Sequence, residues 1–513
     1  MSRPAIVFIG FMGAGKSTAL AAARKAGMET VEIDALMERE FGKPIRQAFE
    51  EDGEEAFRAR EAEVVGALLE GADGGAIALG GGSVLSERVR EALGRHTVVL
   101  LEIDAAEAWR RIEGTERPLA TSEVDVERLL SERLPLYEKL ADAVVPMGRP
   151  GVVERALPAI ETLAEARVGA KLLWAASASG EYPVFVGADI FDLFAESGWW
   201  PAPGRRYCVT DGNADRYSEQ LQPLAASAVA IPPGEKSKTL ATLEGVVELL
   251  AEAEMRRDDH VVALGGGVVG DLAGFCAHVY QRGVAVVQVP TTLVAQVDSA
   301  YGGKTGVDVG ELKNYAGAYH QPAGVIADTA TLASLPEREL SAGFVEVIKT
   351  GLLAGGRLWE RVREIETIDP AGLDDVVFAC ARYKCAIVAA DEREGGLRHV
   401  LNLGHTVGHA IEGVSGFSYL HGEAIGLGLL AALRLSEAAE LRDEVEAILT
   451  RHRLPTQLDP KVDLDAVLAA LQRDKKRTAA GVGFVLLSEP GEPRIGQIVD
   501  EAKVRAAVEE LYR

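Results

Sequence analysis

At 513 residues the chain is longer than one hydrophobic core usually supports, so two or three domains are expected. Hydrophobic residues at 48% and charged residues at 26% describe an ordinary globular protein and exclude a disordered or membrane-embedded one. The 78 acidic against 54 basic residues give a net charge of -24, a field that repels a nucleic-acid backbone and obliges any anionic ligand to be held by locally gathered Lys, Arg and backbone N–H groups.

The first apolar run, AIVFIG, is too short for a signal peptide and is followed by Gly and Lys. No stretch approaches the roughly 18 apolar residues that span a bilayer. Four cysteines (Cys208, Cys276, Cys380, Cys385) without a CxxC spacing read as reduced core thiols. A cytoplasmic location with no membrane or nucleic-acid partner is expected.

Residues 1–167 alternate β-like runs (AIVFIG, AIALGGG, TVVLLEI) with amphipathic stretches, the pattern of an α/β unit on a parallel sheet. After the first run, Gly10 to Thr18 fits G-x-x-x-x-G-K-[ST] ahead of a helical segment. There Gly13, Ala14, Gly15, Lys16, Ser17 and Thr18 are candidates to cradle ATP phosphates. Lys16 reaches toward the β/γ-phosphates, and the Ser17 hydroxyl is placed to ligate Mg²⁺.

Further along stand Asp34, Arg58 in AFRAREAE, the glycines Gly80, Gly81 and Gly82, Arg117 in ERPLA, and Arg133 in ERLPLYEKLAD. This succession resembles shikimate kinase across 1–167. The resemblance implies that Asp34 bonds the reacting hydroxyl, that Arg58 and Arg133 clamp the shikimate carboxylate, that Gly80–Gly82 let backbone approach the ring, and that Arg117 closes over the phosphates. Glu32 stands where the family commonly has an Asp near Mg²⁺. A related small-molecule kinase, or a regulatory nucleotide-binding protein, would have no use for the arginine pair.

From about 168 to 332 a second α/β segment follows, with RYCVTDG, HVVALGGGVVGD and VAVVQVPTT; beyond 333 the strand signals fade into apolar-periodic, mostly helical sequence. The Gly-rich turn at 265–267 suits a dinucleotide but is weak alone. Glu346 and Lys349, three apart on an expected helix, share a face. His405 and His409 are four apart on another, and His421 follows beside Glu423; three of the chain's nine histidines thus fall within 17 residues. Two imidazoles and a carboxylate suit a divalent transition metal with open positions.

VPTTLVAQVDSAYGGKTGVD, KNYAGAYHQP, FVEVIKTG, LNLGHTVGHAIE and LHGEA, in this order, resemble 3-dehydroquinate synthase over 168–513. The resemblance implies an NAD-binding α/β domain (168–332) and a mostly helical metal and substrate domain (333–513). It implies Zn²⁺ or Co²⁺ on Glu346, His405 and His421, with His409 on the substrate side. NAD⁺ is expected on Asp211, Asn213, Glu235, Lys238, Gly266, Gly267, Val268, Asp271, Thr291, Thr292 and Lys313. Substrate is expected on Asp298, Lys304, Asn314, Lys349, Lys384, Arg398, Asn402 and His409, with Lys475 or Lys476 adding a phosphate contact. Arg282 matches an arginine that reaches the neighbouring subunit, which implies a homodimer. The implied reaction is cyclisation of a seven-carbon keto-sugar acid phosphate with loss of phosphate and no net redox. Relatives cyclise other sugar phosphates; Lys384 and Arg398 favour a carboxylated one. A half that served only as a scaffold would be expected to have lost Lys16 or a metal ligand.

Overall fold

A computed structural model describes residues 3–114, 122–166, 169–194, 198–201, 204–226, 228–310, 312–416, 418–472, 477–478 and 481–513. The chain divides into two compact units, one of Met1–Ala175, Pro183–Phe185 and Ser197–Trp199, the other of Ala176–Tyr182, Val186–Glu196 and Trp200–Arg513.

In the first unit, short apolar strands form a parallel sheet in the spatial order Thr30–Glu32, Ala76–Ala78, Ile6–Ile9, Thr97–Glu102, Ala143–Pro146, Lys171–Ser177. Ile6 sits between Ala76 and Thr97 in register, and Ile6–Ile9 is buried on both faces. A parallel sheet covered on both sides demands such unbroken apolar runs. Because all these strands point one way, the loops after Ile9, Glu32 and Ala78 emerge at the same carboxyl edge. From there the neighbouring strands Ile6–Ile9 and Ala76–Ala78 continue to opposite sides, to Thr30–Glu32 and to Thr97–Glu102, which makes the crevice between them a natural ligand site.

The second unit repeats the logic with the order Gly324–Asp328, Ala285–Pro290, His260–Gly265, Arg206–Asp211, Val229–Ile231, again parallel. Its core includes Val209, Val261, Ala263, Leu272 and Val286. Gly265 pairs with Pro290 at the end of the ladder, so the turn 265–267, Thr291 and Asp211 share the carboxyl edge. His260 is one of the buried polar residues of this sheet. It is wholly buried, neither ring nitrogen has a hydrogen-bond partner among the described residues, and the ring stacks on Trp200 with centroids 5.4 Å apart. Burial, then the charge of Arg206, holds its pKa down at about 4.

Beyond residue 333 helices dominate, as expected, but an antiparallel sheet of Arg477–Thr478, Gly481–Leu487 and Pro493–Ile498 is added. Its glycines and proline hide the alternation that would have marked it in sequence. The central helix is Glu337–Ala354, buried continuously from Leu340 to Leu353. Two further helices, His405–Val414 and His421–Leu435, pack backbone against backbone. A Cβ on Gly428 would lie 2.0 Å from the Gly404 carbonyl oxygen, and one on Gly422 would lie 1.8 Å from that of Ala342 in the central helix. Among the described residues no helix is long and apolar enough to cross a membrane. All four cysteines are free and buried, and burial pushes each thiol up to about 12.

Candidate active sites

In the first unit the loop after Ile9 uses three left-handed or extended-positive glycines, Gly10 (φ 147), Gly13 (φ 79) and Gly15 (φ 90). A Cβ on Gly10 would lie 2.6 Å from the Leu101 carbonyl oxygen, so this curl is open to glycine only. The helix Lys16–Lys25 that follows has no side-chain cap, which leaves its N-terminal turn, carrying Ser17 and Thr18, suited to an anion. Lys16 Nζ folds across the loop, donating to the carbonyls of Gly10 (2.9 Å) and Phe11 (3.0 Å). Ser17 Oγ donates to Glu32 Oε1 at 2.5 Å, so the longer carboxylate still reaches the P-loop hydroxyl. The two form an oxygen pair fit for Mg²⁺.

The residues expected on the acceptor side gather around Gly80–Gly82. The Arg58 guanidinium lies against Gly82, where a Cβ would meet it at 2.5 Å, and Asp34 Oδ1 lies 3.5 Å from the Cβ position of Gly80. Arg58 Nη1 donates to Glu61 Oε2 (2.6 Å), and Ser83 donates to the other oxygen of Glu61 (2.7 Å). Tyr137 Oη donates to the Gly81 carbonyl (2.5 Å). Its phenol is pushed up by burial against the opposing pull of Arg133 and Arg58, which brings Arg133, itself buried, to the same place. Glu61 stands beside Arg58 in the AFRAREAE segment that carries the resemblance, whereas Tyr137 is a contributor that composition and spacing do not single out; only its buried hydrogen bond does. Arg117 lies outside the described residues.

In the second unit the turn 265–267 is tight. A Cβ on Gly266 would meet Thr292 at 2.9 Å and one on Gly267 would meet Ser299 at 3.2 Å. Thr291 N–H donates to the Gly265 carbonyl. Lys238 Nζ, buried, pairs with Asp271 at 2.5 Å in the helix Gly267–Val279, which also carries Val268. Asp211 folds its carboxylate onto the N–H groups of Asn213 and Ala214. Lys313 Nζ lies 3.6 Å from Glu235 and 2.9 Å from Glu412.

Next to Ser299, Asp298 accepts from Lys384 through both its carboxylate and its carbonyl. Burial would raise Asp298, but Lys384 and then Lys349 overcome it and hold the carboxyl at about 2. Lys349 Nζ stands 2.5 Å from Glu346 Oε2, both side chains being fully buried. Arg398 is buried and donates to the carbonyls of Glu392 (2.5 Å) and Gly302 (3.1 Å). Lys304 pairs with Glu394 at 2.7 Å, and Asn402 bonds the same carboxylate. Asn314 N–H donates to Asp308, with its own backbone left-handed (φ 50). Arg282 is on the turn Tyr280–Arg282 after the helix Gly267–Val279, joined to none of these groups. Lys475 and Lys476 lie outside the described residues.

The histidines close the cluster. His405 Nε2 and His421 Nε2 lie 3.5 and 3.4 Å from Glu346 Oε1. His405 Nδ1 is 3.1 Å from the Leu403 carbonyl, and His421 Nδ1 is 3.5 Å from Glu412 Oε2. Each ring therefore spends Nδ1 on a protein acceptor and presents Nε2 inward, the outer-sphere arrangement of a metal-ligating histidine. Glu346 Oε2 is taken by Lys349, whereas Oε1 is buried facing the two imidazoles and makes no hydrogen bond of ordinary geometry among the described residues, which fits an oxygen placed for a cation. Ring nitrogens of His405, His409 and His421 also lie within 4.8 Å of one another, with His409 on the exposed side. Burial would raise Glu346, but Lys349, then His405 and His421, hold it well below the usual carboxylate range. Burial and the Lys349 charge depress His405. In His421 burial is overcome by Glu346 and Glu412, which lift it to about 9. Glu412 is held at about 2, His421 and Lys313 outweighing its burial. Sequence gave no hint of Glu412 beyond its place in the helix.

Fold and site thus define a P-loop unit followed by a glycine-turn α/β unit with a helical carboxylate–histidine centre. The shikimate kinase family model matches residues 12–161, and the N-terminal and C-terminal models of 3-dehydroquinate synthase match 228–342 and 343–477. The chain is 42% identical over 354 residues to the 3-dehydroquinate synthase of Symbiobacterium thermophilum, covering 65% of this chain and 98% of that protein. It is 40% identical over 359 residues to that of Halorhodospira halophila, covering 66% and 98%. Among solved structures, 2-deoxy-scyllo-inosose synthase complexed with carbaglucose-6-phosphate, NAD⁺ and Co²⁺ aligns with a TM-score of 0.59 at 25% identity, covering 66% of this chain and 100% of that one. ValA (2-epi-5-epi-valiolone synthase) from Streptomyces hygroscopicus subsp. jinggangensis, with NAD⁺ and Zn²⁺ bound, aligns at 0.55 and 27%, covering 60% and 91%. The chain belongs to the 3-dehydroquinate synthase family, with a shikimate-kinase-like domain fused ahead of it.

Proposed function

We propose that the chain is a bifunctional enzyme, phosphorylating shikimate with ATP and Mg²⁺ and converting 3-deoxy-D-arabino-heptulosonate 7-phosphate to 3-dehydroquinate and phosphate. The observation that carries the synthase half is the meeting of Glu346, His405 and His421 beside the buried cations Lys349 and Lys384. Zn²⁺ or Co²⁺ on those three ligands and NAD⁺ at the 265–267 turn would supply Lewis-acid polarisation and reversible hydride transfer. His409, exposed beside the ligands, is left to face substrate. Lys304, Lys349, Asp298, Asn314, Asn402, Lys384 and Arg398 orient it, with Lys475 or Lys476 on its phosphate. Lys384 and Arg398 favour a carboxylated substrate over a carboxylate-free sugar phosphate such as the carbaglucose-6-phosphate of the solved 2-deoxy-scyllo-inosose synthase. Asp211, Asn213, Glu235, Lys238, Gly266, Gly267, Val268, Asp271, Thr291, Thr292 and Lys313 surround the cofactor.

In the kinase half, Lys16 and the Gly13–Thr18 backbone hold phosphates, and Ser17 with Glu32 holds Mg²⁺. Arg58 and Arg133 clamp the carboxylate over Gly80–Gly82, Asp34 orients the attacking hydroxyl, and Arg117 closes over the phosphates. The division at 167/168 and 332/333, a homodimer using Arg282, and a cytoplasmic location complete the proposal. A paired assay on the purified chain tests it: phosphate release from the heptulosonate phosphate must need metal and NAD⁺ and cease on chelation, whereas shikimate phosphorylation must need only ATP and Mg²⁺. Absence of either activity refutes the assignment of that half.

A further inference from the structure

Glu412 lies seven residues after His405, two turns along the same helix and on the same face. At 5% exposure it is a buried carboxylate, which is rare unless paired. Its two oxygens serve different partners. Oε1 accepts from Lys313 Nζ at 2.9 Å, and Oε2 is 3.5 Å from His421 Nδ1. Lys313 comes from the strand Leu312–Tyr319 and also lies 3.6 Å from Glu235. His421 turns its other nitrogen to Glu346, 3.4 Å away.

We propose that Glu412 is a positioning residue that couples the cation centre to the nicotinamide-cofactor pocket, orienting His421 with one oxygen and anchoring Lys313 with the other. The inference rests on the function proposed above for this site. The two inward-facing histidines are held differently: His405 uses a backbone carbonyl fixed by the fold, whereas His421 uses a side chain that a second group can pull. A carboxylate that accepts from the Nδ1–H of a ligand fixes the tautomer, aims Nε2 and raises its basicity. A rigid carboxylate shared between two donors cannot shift toward one without loosening the other. Occupation of the pocket around Lys313 is thereby felt at His421, and the reverse holds by reciprocity.

The test uses the full chain and its variant Glu412→Gln, an isostere that keeps one acceptor oxygen and turns the other into an NH2 donor, so that one of the two partners meets a donor in place of an acceptor. Affinity for Zn²⁺ is read by chelator competition and affinity for NAD⁺ by calorimetry, neither requiring turnover. The metal affinity of Glu412→Gln should fall about 10- to 100-fold, and its NAD⁺ affinity should fall as well. Either affinity remaining within about twofold of wild type overturns the bridge, twofold being under a third of a tenfold step in free energy. Should the variant not fold, histidine-selective nitrogen spectra of the wild-type zinc-loaded chain decide. A proton on His421 Nδ1 with zinc on Nε2 supports the proposal; zinc on Nδ1 overturns it. A wild-type chain that binds neither Zn²⁺ nor NAD⁺ removes the functional reading, and the bridge with it.

Discussion

Replacing Gly422 by alanine adds one methyl group next to His421, yet it should dismantle the cation centre. The added Cβ would lie 1.8 Å from the Ala342 carbonyl oxygen and 2.5 Å from its carbon, both backbone atoms of the central helix. Real Cβ atoms essentially never come within 3.0 Å of such a neighbour, so the helices Glu337–Ala354 and His421–Leu435 would have to part. The displacement is roughly 1.2 Å, against the roughly 0.5 Å tolerance of a working constellation. His421 and Glu346 sit on those two helices, so the separation opens the site directly. Overpacking of this kind costs about 1–3 kcal/mol, and Zn²⁺ affinity should fall by at least about tenfold. Gly426→Ala, one turn along the same helix, is the control: its Cβ would meet only side-chain ends, Leu449 at 3.3 Å and Val345 at 3.7 Å, which can yield. Zinc titration and thermal melting of both variants decide. A Gly422→Ala chain that matches Gly426→Ala in zinc affinity and melting temperature refutes the close-crossing argument.

Lys349→Met leaves Glu346, wholly buried, without its cation. The chelated chain should lose about 3–5 kcal/mol in urea, and the zinc-loaded chain clearly less; equal losses would contradict the charge-balance reading. His260 titrates near the ordinary 6.5 when unfolded but only at about 4 when folded. The unfolded state therefore binds the extra proton across that window, so stability is complete above pH 6.5 and declines as pH falls toward 4. By pH 5 the loss should be about 2 kcal/mol, absent in His260→Phe; parallel urea midpoints for the two chains at pH 7 and pH 5 would show another group responsible. Tyr137→Phe strips the hydroxyl from the Gly81 carbonyl. The KM for shikimate should rise by roughly 5- to 30-fold, the equivalent of about 1–2 kcal/mol, with kcat less affected; an unchanged KM would remove Tyr137 from the acceptor site.

Sequence made legible whatever is local. Gly10–Thr18 declares its strand, loop and helix through glycine and lysine spacing, and His405 with His409 declares a shared helix face because four residues return to the same side. Resemblance then joined pieces far apart in the chain, such as Glu346 with His421. What stayed hidden depends on close approach between elements. Gly422 and Gly428 look like ordinary helix-weakening glycines until the backbone atoms they face are known. Glu412 is one acidic residue among 78 until its two partners arrive from other segments. The strands Gly481–Leu487 and Pro493–Ile498 were obscured because glycine and proline blur the two-residue period on which strand reading depends.

The buried cysteines have a practical corollary. With every native cysteine buried and held as the protonated thiol at neutral pH, maleimides and mild thiol oxidants should find no reactive thiolate in the folded chain. A single cysteine introduced at an exposed position, such as Glu360, would then take up a fluorophore or spin label alone. Motion at that position could be followed without first deleting any of the original four.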